Sequence, residues 1–230
     1  MQKKKLCTTR VTAEAIERNT RQQSESPTWH EERRHRLTSS QFGTVLIRKE
    51  WSLKGLENLT RQRDLSKVAA VKYGISNEPV AAQRYKEVLH NMGHDAVISS
   101  CGLLVSPSCP WLGASPDRIV FDPVEDSYGV VEIKCPYSLR DQQACNLPGL
   151  NFCCEVDENG PKLKRDHQYY AQLIGQMAIS GLSWGDFVVY SKDFILIERV
   201  KFSQSEWSTM KETLDYFYFD TLLPYLETTM

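Results

Sequence analysis

The sequence predicts a mixed α/β fold in which a central mixed sheet is flanked by helices. Hydrophobic residues recur with a helical period in residues 28–90 and with a period of two in residues 96–134. A helix, two strands and a further helix are then predicted in residues 166–218. Helices on both sides of a run of strands are expected to cover a sheet, and this order of elements indicates the mixed class.

Capping signals predict the first helices. Thr28 and Glu31 have the spacing of a capping box, which predicts a helix that begins after Thr28. Ser39 or Ser40 can cap a second, short helix. Residues 49–63 are predicted to hold a loop and another helix.

The longest helical pattern covers residues 67–90. We expect a break at Gly74, after which Asn77 caps a helix with Pro79 at an early, tolerated position. The second part carries an apolar stripe, which predicts that this helix packs on the core. The stripe consists of Val80, Ala81, Tyr85, Val88 and Leu89.

The rest of the chain is predicted to supply the sheet and two covering helices. Alternating polarity and turn residues predict strands at residues 96–100, 103–105, 111–113, 118–121 and 128–134. Residues 146–161 are rich in Pro, Gly and Asn and predict a loop. Asp166 is predicted to cap a helix that Gly181 closes, and Ser203 a last helix after strands at 187–190 and 194–200.

Composition limits the class of protein. Of 230 residues, 41% are hydrophobic and 25% are charged, as is typical of globular proteins. We expect one domain at residues 27–230, preceded at residues 1–26 by a polar tail or a loosely docked helix. No stretch approaches the roughly 20 apolar residues of a membrane span, and no apolar run follows the basic residues 3–5, so an intracellular location is predicted.

Charge and cysteine content exclude less. Seven cysteines without a CxxC pair predict neither a disulfide framework nor a zinc site. The net charge of −1 is low for a nucleic-acid-binding protein. Local clusters such as Arg33, Arg34 and Arg36 can still provide a positive surface, although a solvated face is the more ordinary interpretation of each cluster taken alone.

One strand carries chemistry. In the segment Gly129-Val130-Val131-Glu132-Ile133-Lys134, alternate side chains point to opposite faces, so Glu132 and Lys134 share a face. A valine-rich strand of this kind is typically central and buried. A carboxylate and an ammonium group there require partners or a metal ion. Taken alone, the pair could also lie on an exposed strand as an ordinary surface pair.

Asp117 favours the interpretation that Glu132 and Lys134 are buried beside partners or a metal ion. It lies fifteen residues before Glu132, which is enough for two strands and a turn, so a hairpin would bring the two carboxylates together. Paired carboxylate oxygens are the ligands that Mg²⁺ or Mn²⁺ prefers. Lys134 would then lie beside the ion, where it could help deprotonate or orient a water molecule and stabilise negative charge in a transition state.

The constellation resembles the PD-(D/E)XK nuclease superfamily and, more closely, the YqaJ-like viral recombinase and lambda-type exonuclease family. Five segments, in the order of the family, carry the resemblance across about residues 28–200. They are Trp29-His30-x-x-Arg33 with Thr38-Ser39-Ser40, Tyr73-Gly74-Ile75-x-x-Glu78, Gly113-Ala114-Ser115-Pro116-Asp117, Val131-Glu132-Ile133-Lys134-Cys135-Pro136 and Tyr169-Tyr170-x-Gln172-x-x-x-Gln176-Met177.

The resemblance implies a restriction-endonuclease-like core and a role for each matching residue. The implied metal ligands are Asp117, Glu132, the Ile133 carbonyl and, directly or through water, Glu78. Lys134 is the implied catalytic lysine and Gln172 supports the site from its helix. The implied ligands of a DNA 5′-phosphate are Arg33, Ser40 and Ser115. The sequence departs from the family at Arg118, where glycine is common; this cation could contact substrate phosphate or crowd the metal carboxylate.

The resemblance also implies a function. We expect a Mg²⁺-dependent deoxyribonuclease, with Mn²⁺ able to substitute, that acts on linear duplex ends as a 5′-to-3′ exonuclease in recombination or repair. A restriction-like endonuclease and a non-catalytic DNA-binding module remain alternatives. Homo-oligomers are known among lambda-type relatives, but neither assembly nor a recombinase partner can be predicted from these residues.

Overall fold

The computed structural model describes residues 6–61, 65, 67–147, 150–158 and 160–229. The basic residues 3–5 and parts of two predicted segments, residues 62–63 and residues 148, 149 and 159, lie outside the described residues. No helix in the described ranges combines the length and the apolar character needed to cross a membrane.

The first part of the chain is mainly helical. Its elements are α1 Arg10–Asn19, α2 Pro27–Arg33, β1 Leu37–Thr38, α3 Ser39–Ile47, α4 Leu53–Thr60 and α5 Ala69–Asn91. The middle part holds β2 Val97–Ser100, β3 Leu112–Gly113, β4 Arg118–Asp122, β5 Ser127–Lys134, β6 Cys154–Asp157 and β7 Gly160–Leu163. The last part holds α6 Gln168–Ser180, β8 Trp184–Ser191, β9 Phe194–Lys201, α7 Gln204–Phe217 and α8 Leu223–Thr229.

A five-stranded mixed sheet forms the centre of the fold. Its strand order is β2-β4-β5-β8-β9, in which β5 and β8 are parallel and the other neighbours are antiparallel. The predicted hairpin is β4–β5, and its register pairs Arg118 with Val131. The mixed α/β class with a central sheet between helices is therefore confirmed.

Two apolar clusters cover the two faces of the sheet. On one face, Val130 and Phe187 of the sheet pack in a cluster that includes Leu173 of α6 and Phe42 of α3. On the other face, strand residues including Val131 and Val188 pack with α5 residues Ala81, Tyr85 and Leu89. The alternation predicted for β5 is thus observed, since Val130 and Val131 contribute to opposite clusters.

Glycines allow α3 and α6 to approach closely. A Cβ atom at Gly43 would lie 2.4 Å from Cα of Gln168, and one at Gly175 would lie 2.4 Å from the ring of Phe42. Contacts this short leave room only for hydrogen at these positions. The close packing fixes the position of α6, the helix that carries Gln172.

Several predicted details of secondary structure are wrong. The N-cap of α3 is Thr38 and not Ser39 or Ser40, and the N-cap of α6 is His167 and not Asp166. The predicted strand at residues 103–105 is an isolated bridge between Leu104 and Ala114. Helix α2 begins at Pro27, because the side chain of Ser26, not Thr28, accepts the amide hydrogen of Trp29. Helix α5 continues through Gly74 and Pro79 without a break. The predicted loop at residues 146–161 contains β6, which pairs with β7 in a hairpin.

The N-terminal segment contains a helix that is hydrogen-bonded to the core. Near the end of α1, the Glu17 carboxylate accepts the amide hydrogen of Gly102 at 3.1 Å. The hydroxyl oxygen of Thr20 accepts the amide hydrogen of Leu103 at 2.7 Å. Both contacts join this segment to the connection between β2 and β3.

Candidate active site

The β4–β5 hairpin brings two carboxylates together at one end of the sheet. Continuing the observed register one step beyond Arg118 and Val131 places Asp117 opposite Glu132. The Oδ2 atom of Asp117 accepts the amide hydrogen of Ile133 at 2.6 Å. The predicted proximity of Asp117 and Glu132 is therefore present in the structure, and Asp117 is bonded to the main chain of the very strand that carries Glu132.

Glu132 is the most buried carboxylate of this group, with 2% of its surface exposed. Its Oε1 atom accepts hydrogen bonds from Lys134 Nζ at 2.5 Å and from Gln172 Nε2 at 2.6 Å. Its Oε2 atom accepts one from Gln176 Nε2 at 2.6 Å. Three donors, one of them a cation, compensate the burial of this charge and fix the orientation of the carboxylate plane.

Lys134 lies between the carboxylates and an aromatic ring. Its Nζ atom is 4.7 Å from the ring centroid of Tyr169. Burial acts to lower the pKa of Lys134, but the charges of Glu132 and Asp117 outweigh it and raise the pKa above the ordinary value. The amine is therefore protonated at neutral pH in this arrangement.

Burial and like charge act together on Asp117. Loss of solvent raises its pKa well above the usual range, and the neighbouring charge of Glu132 raises it further. A group of carboxylates with such mutual repulsion favours a cation between them, because the cation offsets both the repulsion and the loss of solvation.

Glu78 reaches the site from α5, where Arg118 binds it. The Nη1 atom of Arg118 donates to Glu78 Oε1 at 2.8 Å and to the carbonyl oxygen of Asp117 at 2.5 Å. Of the two roles considered for Arg118, the structure shows neither directly, because its guanidinium pairs with Glu78 and not with the Asp117 carboxylate. Glu78 is consequently engaged in an ion pair.

The residues predicted to hold a 5′-phosphate lie in one connected group. Arg33 donates from Nη2 to the Ser40 hydroxyl at 3.3 Å, and its guanidinium lies 4.0 Å from the ring centroid of Trp29. The indole nitrogen of Trp29 donates to the Ser115 hydroxyl at 2.9 Å. Arg33, Ser40 and Ser115 are therefore linked through Trp29, and Ser115 lies two residues before Asp117.

Arg33 has the electrostatics of an anion-binding group. Burial lowers its pKa to about 10, so it keeps its positive charge at neutral pH. Among the described residues, no carboxylate forms an ion pair with it. A half-buried guanidinium without a counter-ion presents donors in the fork geometry that fits phosphate oxygens.

Sequence reasoning assigned no role to three residues that contact this site. Gln176 bonds the second oxygen of Glu132, and its spacing of four residues from Gln172 was the available signal. Trp29 contacts both Arg33 and Ser115 and so connects the residues predicted to bind a 5′-phosphate. Gln23 donates from its side-chain amide to the carbonyl oxygen of Pro116 at 2.8 Å, and no local pattern in residues 1–26 indicated this contact.

Side chains at this site provide only some of the oxygen ligands that a hard divalent cation needs. No three His, Cys, Asp or Glu side chains within the described ranges converge closely enough to hold a metal ion by themselves. Asp117 and Glu132 provide two anionic oxygen ligands. The Ile133 carbonyl and water would have to complete the shell, as is usual for Mg²⁺, which retains several water ligands.

Comparison with known sequences identifies one family. The sequence profile of the YqaJ-like viral recombinase domain matches residues 28–183. This range begins within helix α2 and ends immediately before β8, and it includes Glu78, Asp117, Glu132, Lys134 and Gln172. No curated relative matches the chain by sequence.

Comparison with solved structures identifies proteins of the same fold. The alkaline exonuclease LHK-Exo of Laribacter hongkongensis aligns with a TM-score of 0.64 and 23% identity, over 87% of this chain and 94% of that chain. SOX of KSHV, in an RNA complex, gives 0.61 and 14% over 94% and 75%. A SOX–DNA complex gives 0.58 and 16% over 94% and 72%. At these identities, the likenesses show a shared fold.

Proposed function

Because the chain belongs to the YqaJ-like viral recombinase domain family, we propose that it is a divalent-metal-dependent deoxyribonuclease. We further propose that it removes nucleotides from linear duplex DNA in the 5′-to-3′ direction, in recombination or repair. The observation that carries the proposal is the convergence of Asp117, Glu132 and Lys134 in one partly buried cluster. The alkaline exonuclease and the DNA complex among the structural neighbours support an end-dependent enzyme that acts on DNA.

The two carboxylates are the proposed metal ligands. Asp117 and Glu132 would hold Mg²⁺, or Mn²⁺ in its place, together with the Ile133 carbonyl, and Glu78 would reach the ion directly or through water. When bound, such an ion polarises the scissile phosphate and lowers the pKa of a coordinated water. Gln172 and Gln176 hold the Glu132 carboxylate by its two oxygens, which keeps its orientation constant during the reaction.

Lys134 is the proposed electrostatic partner of the reacting phosphate. Since its pKa is raised, the amine acts as a cation and a hydrogen-bond donor and not as a free base. It can orient the attacking water and stabilise the negative charge that develops on the phosphate oxygens. The ring of Tyr169 limits the positions that the amine can adopt.

The Arg33 group is the proposed end-recognition element. Arg33, Ser40 and Ser115 would bind the 5′-terminal phosphate, and this contact would position the first phosphodiester bond at Asp117 and Glu132. End recognition by a dedicated phosphate contact predicts a preference for 5′-phosphorylated ends. Duplex without ends would then not be a substrate.

The first experiment compares three DNA substrates in Mg²⁺: linear duplex with 5′-phosphate, linear duplex with 5′-hydroxyl, and covalently closed circles. We expect rapid digestion of the first, slower digestion of the second and none of the third, with chelation abolishing activity. Lys134→Ala and Asp117→Asn should each lose at least about a hundredfold in rate, as is common when one charged group of such a site is removed. Full activity in either variant would refute the assigned roles.

The second experiment tests the direction of digestion and the role of Arg33 in recognising the 5′-phosphate. A label at the 5′ end should be released first as a mononucleotide, whereas a 3′ label should persist until late digestion. Arg33→Ala should remove the preference for 5′-phosphate, while Arg34→Ala, at the exposed next residue that caps the end of α2, should keep it. Equal effects of the two substitutions would contradict the proposed end-recognition element.

The alternatives give different outcomes in the same assays. A restriction-like endonuclease would cut the circles, and a non-catalytic DNA-binding module would bind duplex without releasing nucleotides or binding metal. Digestion of RNA at a rate equal to that of DNA would change the proposed substrate class.

A further inference from the structure

The side chain of Gln23, in the N-terminal segment, holds the loop that presents Asp117. The Nε2 group of Gln23 donates to the carbonyl oxygen of Pro116 at 2.8 Å and to that of Cys101 at 2.9 Å. Pro116 is the residue immediately before Asp117. The Gln23 amide therefore links two places in the chain. One is the residue just before Asp117, the proposed metal ligand, and the other is the residue just after strand β2.

The backbone at Gln23 adopts a conformation that is unfavourable for a residue with a side chain. Its φ angle is +46°, in the left-handed region, and one other non-glycine residue in the described part of the chain, Asp126, also has a positive φ. A residue kept in this region is retained when its side chain makes a contact that glycine could not make. At Gln23 that contact is the double donation to two carbonyl oxygens.

The segment before Gln23 is anchored well enough to hold the amide in place. Glu17 and Thr20 bond the main chain at Gly102 and Leu103, one and two residues after Cys101. The adjacent side chain of Gln22 is exposed. A separate contact holds Ser115, whose hydroxyl accepts from Trp29, and Gln23 contacts this loop at the carbonyl oxygen of Pro116.

We propose that Gln23 is a positioning residue that fixes the Asp117 carboxylate in register with Glu132 for metal binding. Gln23 lies outside residues 28–183, the range that matches the family profile, so this device belongs to the N-terminal segment of this chain. The proposal rests on the proposed function, because it concerns the same metal-holding pair. It makes helix α1 and the turn after it a working part of the active site.

Calorimetric titration of Mn²⁺ into the full-length protein without DNA tests this proposal. Gln23→Glu keeps the size of the side chain but replaces its donors with acceptors, and Gln23→Gly removes the side chain and relaxes the backbone. Both should weaken Mn²⁺ binding about 10- to 100-fold, the usual effect of losing a group that orients a metal ligand. Gln22→Glu, the same charge change on the exposed neighbour, should bind like the wild type.

Two further readouts separate positioning from general damage to the fold. Circular dichroism and thermal unfolding should show that both Gln23 variants are folded at the titration temperature. In metal-free protein, amide hydrogen exchange at Asp117 and Arg118 should be faster in Gln23→Gly than in the wild type. A structural role remote from the site would leave both the exchange at these amides and the affinity for Mn²⁺ unchanged.

The outcomes are distinguishable. If Gln23→Gly binds Mn²⁺ as tightly as the wild type, the proposal is overturned, whatever the result for Gln23→Glu. If the wild type binds Mn²⁺ and both Gln23 variants bind it weakly while Gln22→Glu does not, the proposal is supported. A wild type that binds no Mn²⁺ would overturn the proposed function, and this proposal with it.

Discussion

Replacing Gln172 with leucine tests how the buried carboxylate of the site is held. Gln172 is 8% exposed and donates to Glu132, which is 2% exposed, so the bond is shielded from water. Leucine has a similar size but cannot donate. A hydrogen bond to a charged acceptor contributes about 1.5–3 kcal/mol, and the buried acceptor finds no water to replace it.

The magnitude can be converted into a melting temperature. For a chain of 230 residues, each kcal/mol corresponds to about 2–4 °C. Gln172→Leu should therefore lower the melting temperature by about 3–12 °C when unfolding is followed by circular dichroism. The cleavage rate should fall about 10- to 100-fold in addition, because Glu132 loses one of the groups that orient it.

A matched control is available on helix α5. Gln83 donates to the carboxylate of Glu87 at 3.2 Å on an exposed surface. Gln83→Leu therefore removes the same kind of hydrogen bond, amide to carboxylate, at a position where water can replace the donor. That variant should change stability by less than about 0.5 kcal/mol and leave cleavage unchanged. If Gln172→Leu were no less stable and no slower than this control, our account of how Glu132 is held would be refuted.

Two further predictions concern the packing of helix α6 and the ion pair between Arg118 and Glu78. Gly175→Ala should destabilise the protein by about 1–3 kcal/mol in urea unfolding, because its methyl group would lie 2.4 Å from the ring of Phe42. Gly74→Ala is the control: its methyl group meets no atom within 4 Å, and it should stabilise α5 by about 0.5–1 kcal/mol. Equal effects of the two substitutions would contradict the packing described. Arg118→Ala should tighten Mn²⁺ binding in calorimetry, because it releases Glu78 from its ion pair; unchanged or weaker binding would show that Glu78 does not contribute to the metal site.

The centre of the site was predictable because it is local in the chain. Turn residues between two alternating segments defined the hairpin, and a period of two placed Glu132 and Lys134 on one face. The register observed for β4 and β5 then places Asp117 opposite Glu132. Short-range rules suffice when the interacting residues are fifteen positions apart.

Contacts between distant segments were not predictable in this way. The parallel pairing of β1 with β3 joins Leu37 to Leu112, and the amide of Gln23 meets Pro116 across an even longer stretch of chain. Neither contact leaves a periodic signal in the sequence, because each involves one or two residues. The resemblance to the family did not help at Gln23, since the motifs begin at Trp29.

Helix α5 shows packing that overrides local preference. Gly74 costs about 1 kcal/mol in a helix interior and Pro79 more, and both favoured the predicted break. After Pro79, the buried face formed by Ala81, Tyr85 and Leu89 lies against the sheet, and before Gly74 the ring of Tyr73 packs edge-on against the ring of Tyr137. Continuity matters for the site, because it carries Glu78 to Arg118 on a rigid element.

The guanidinium of Arg33, which forms no ion pair with a carboxylate in the described part of the chain, has a consequence for the choice of solution conditions. If Arg33 binds the 5′-terminal phosphate as proposed, small dianions of the buffer, such as sulfate or inorganic phosphate, match its donor geometry and would compete with a DNA terminus for it. Displacing a resident anion also makes association depend on ionic strength, with about one counter-ion fewer exchanged at a terminus that lacks phosphate. Low-salt chloride buffers are therefore the medium in which discrimination between ends should be largest.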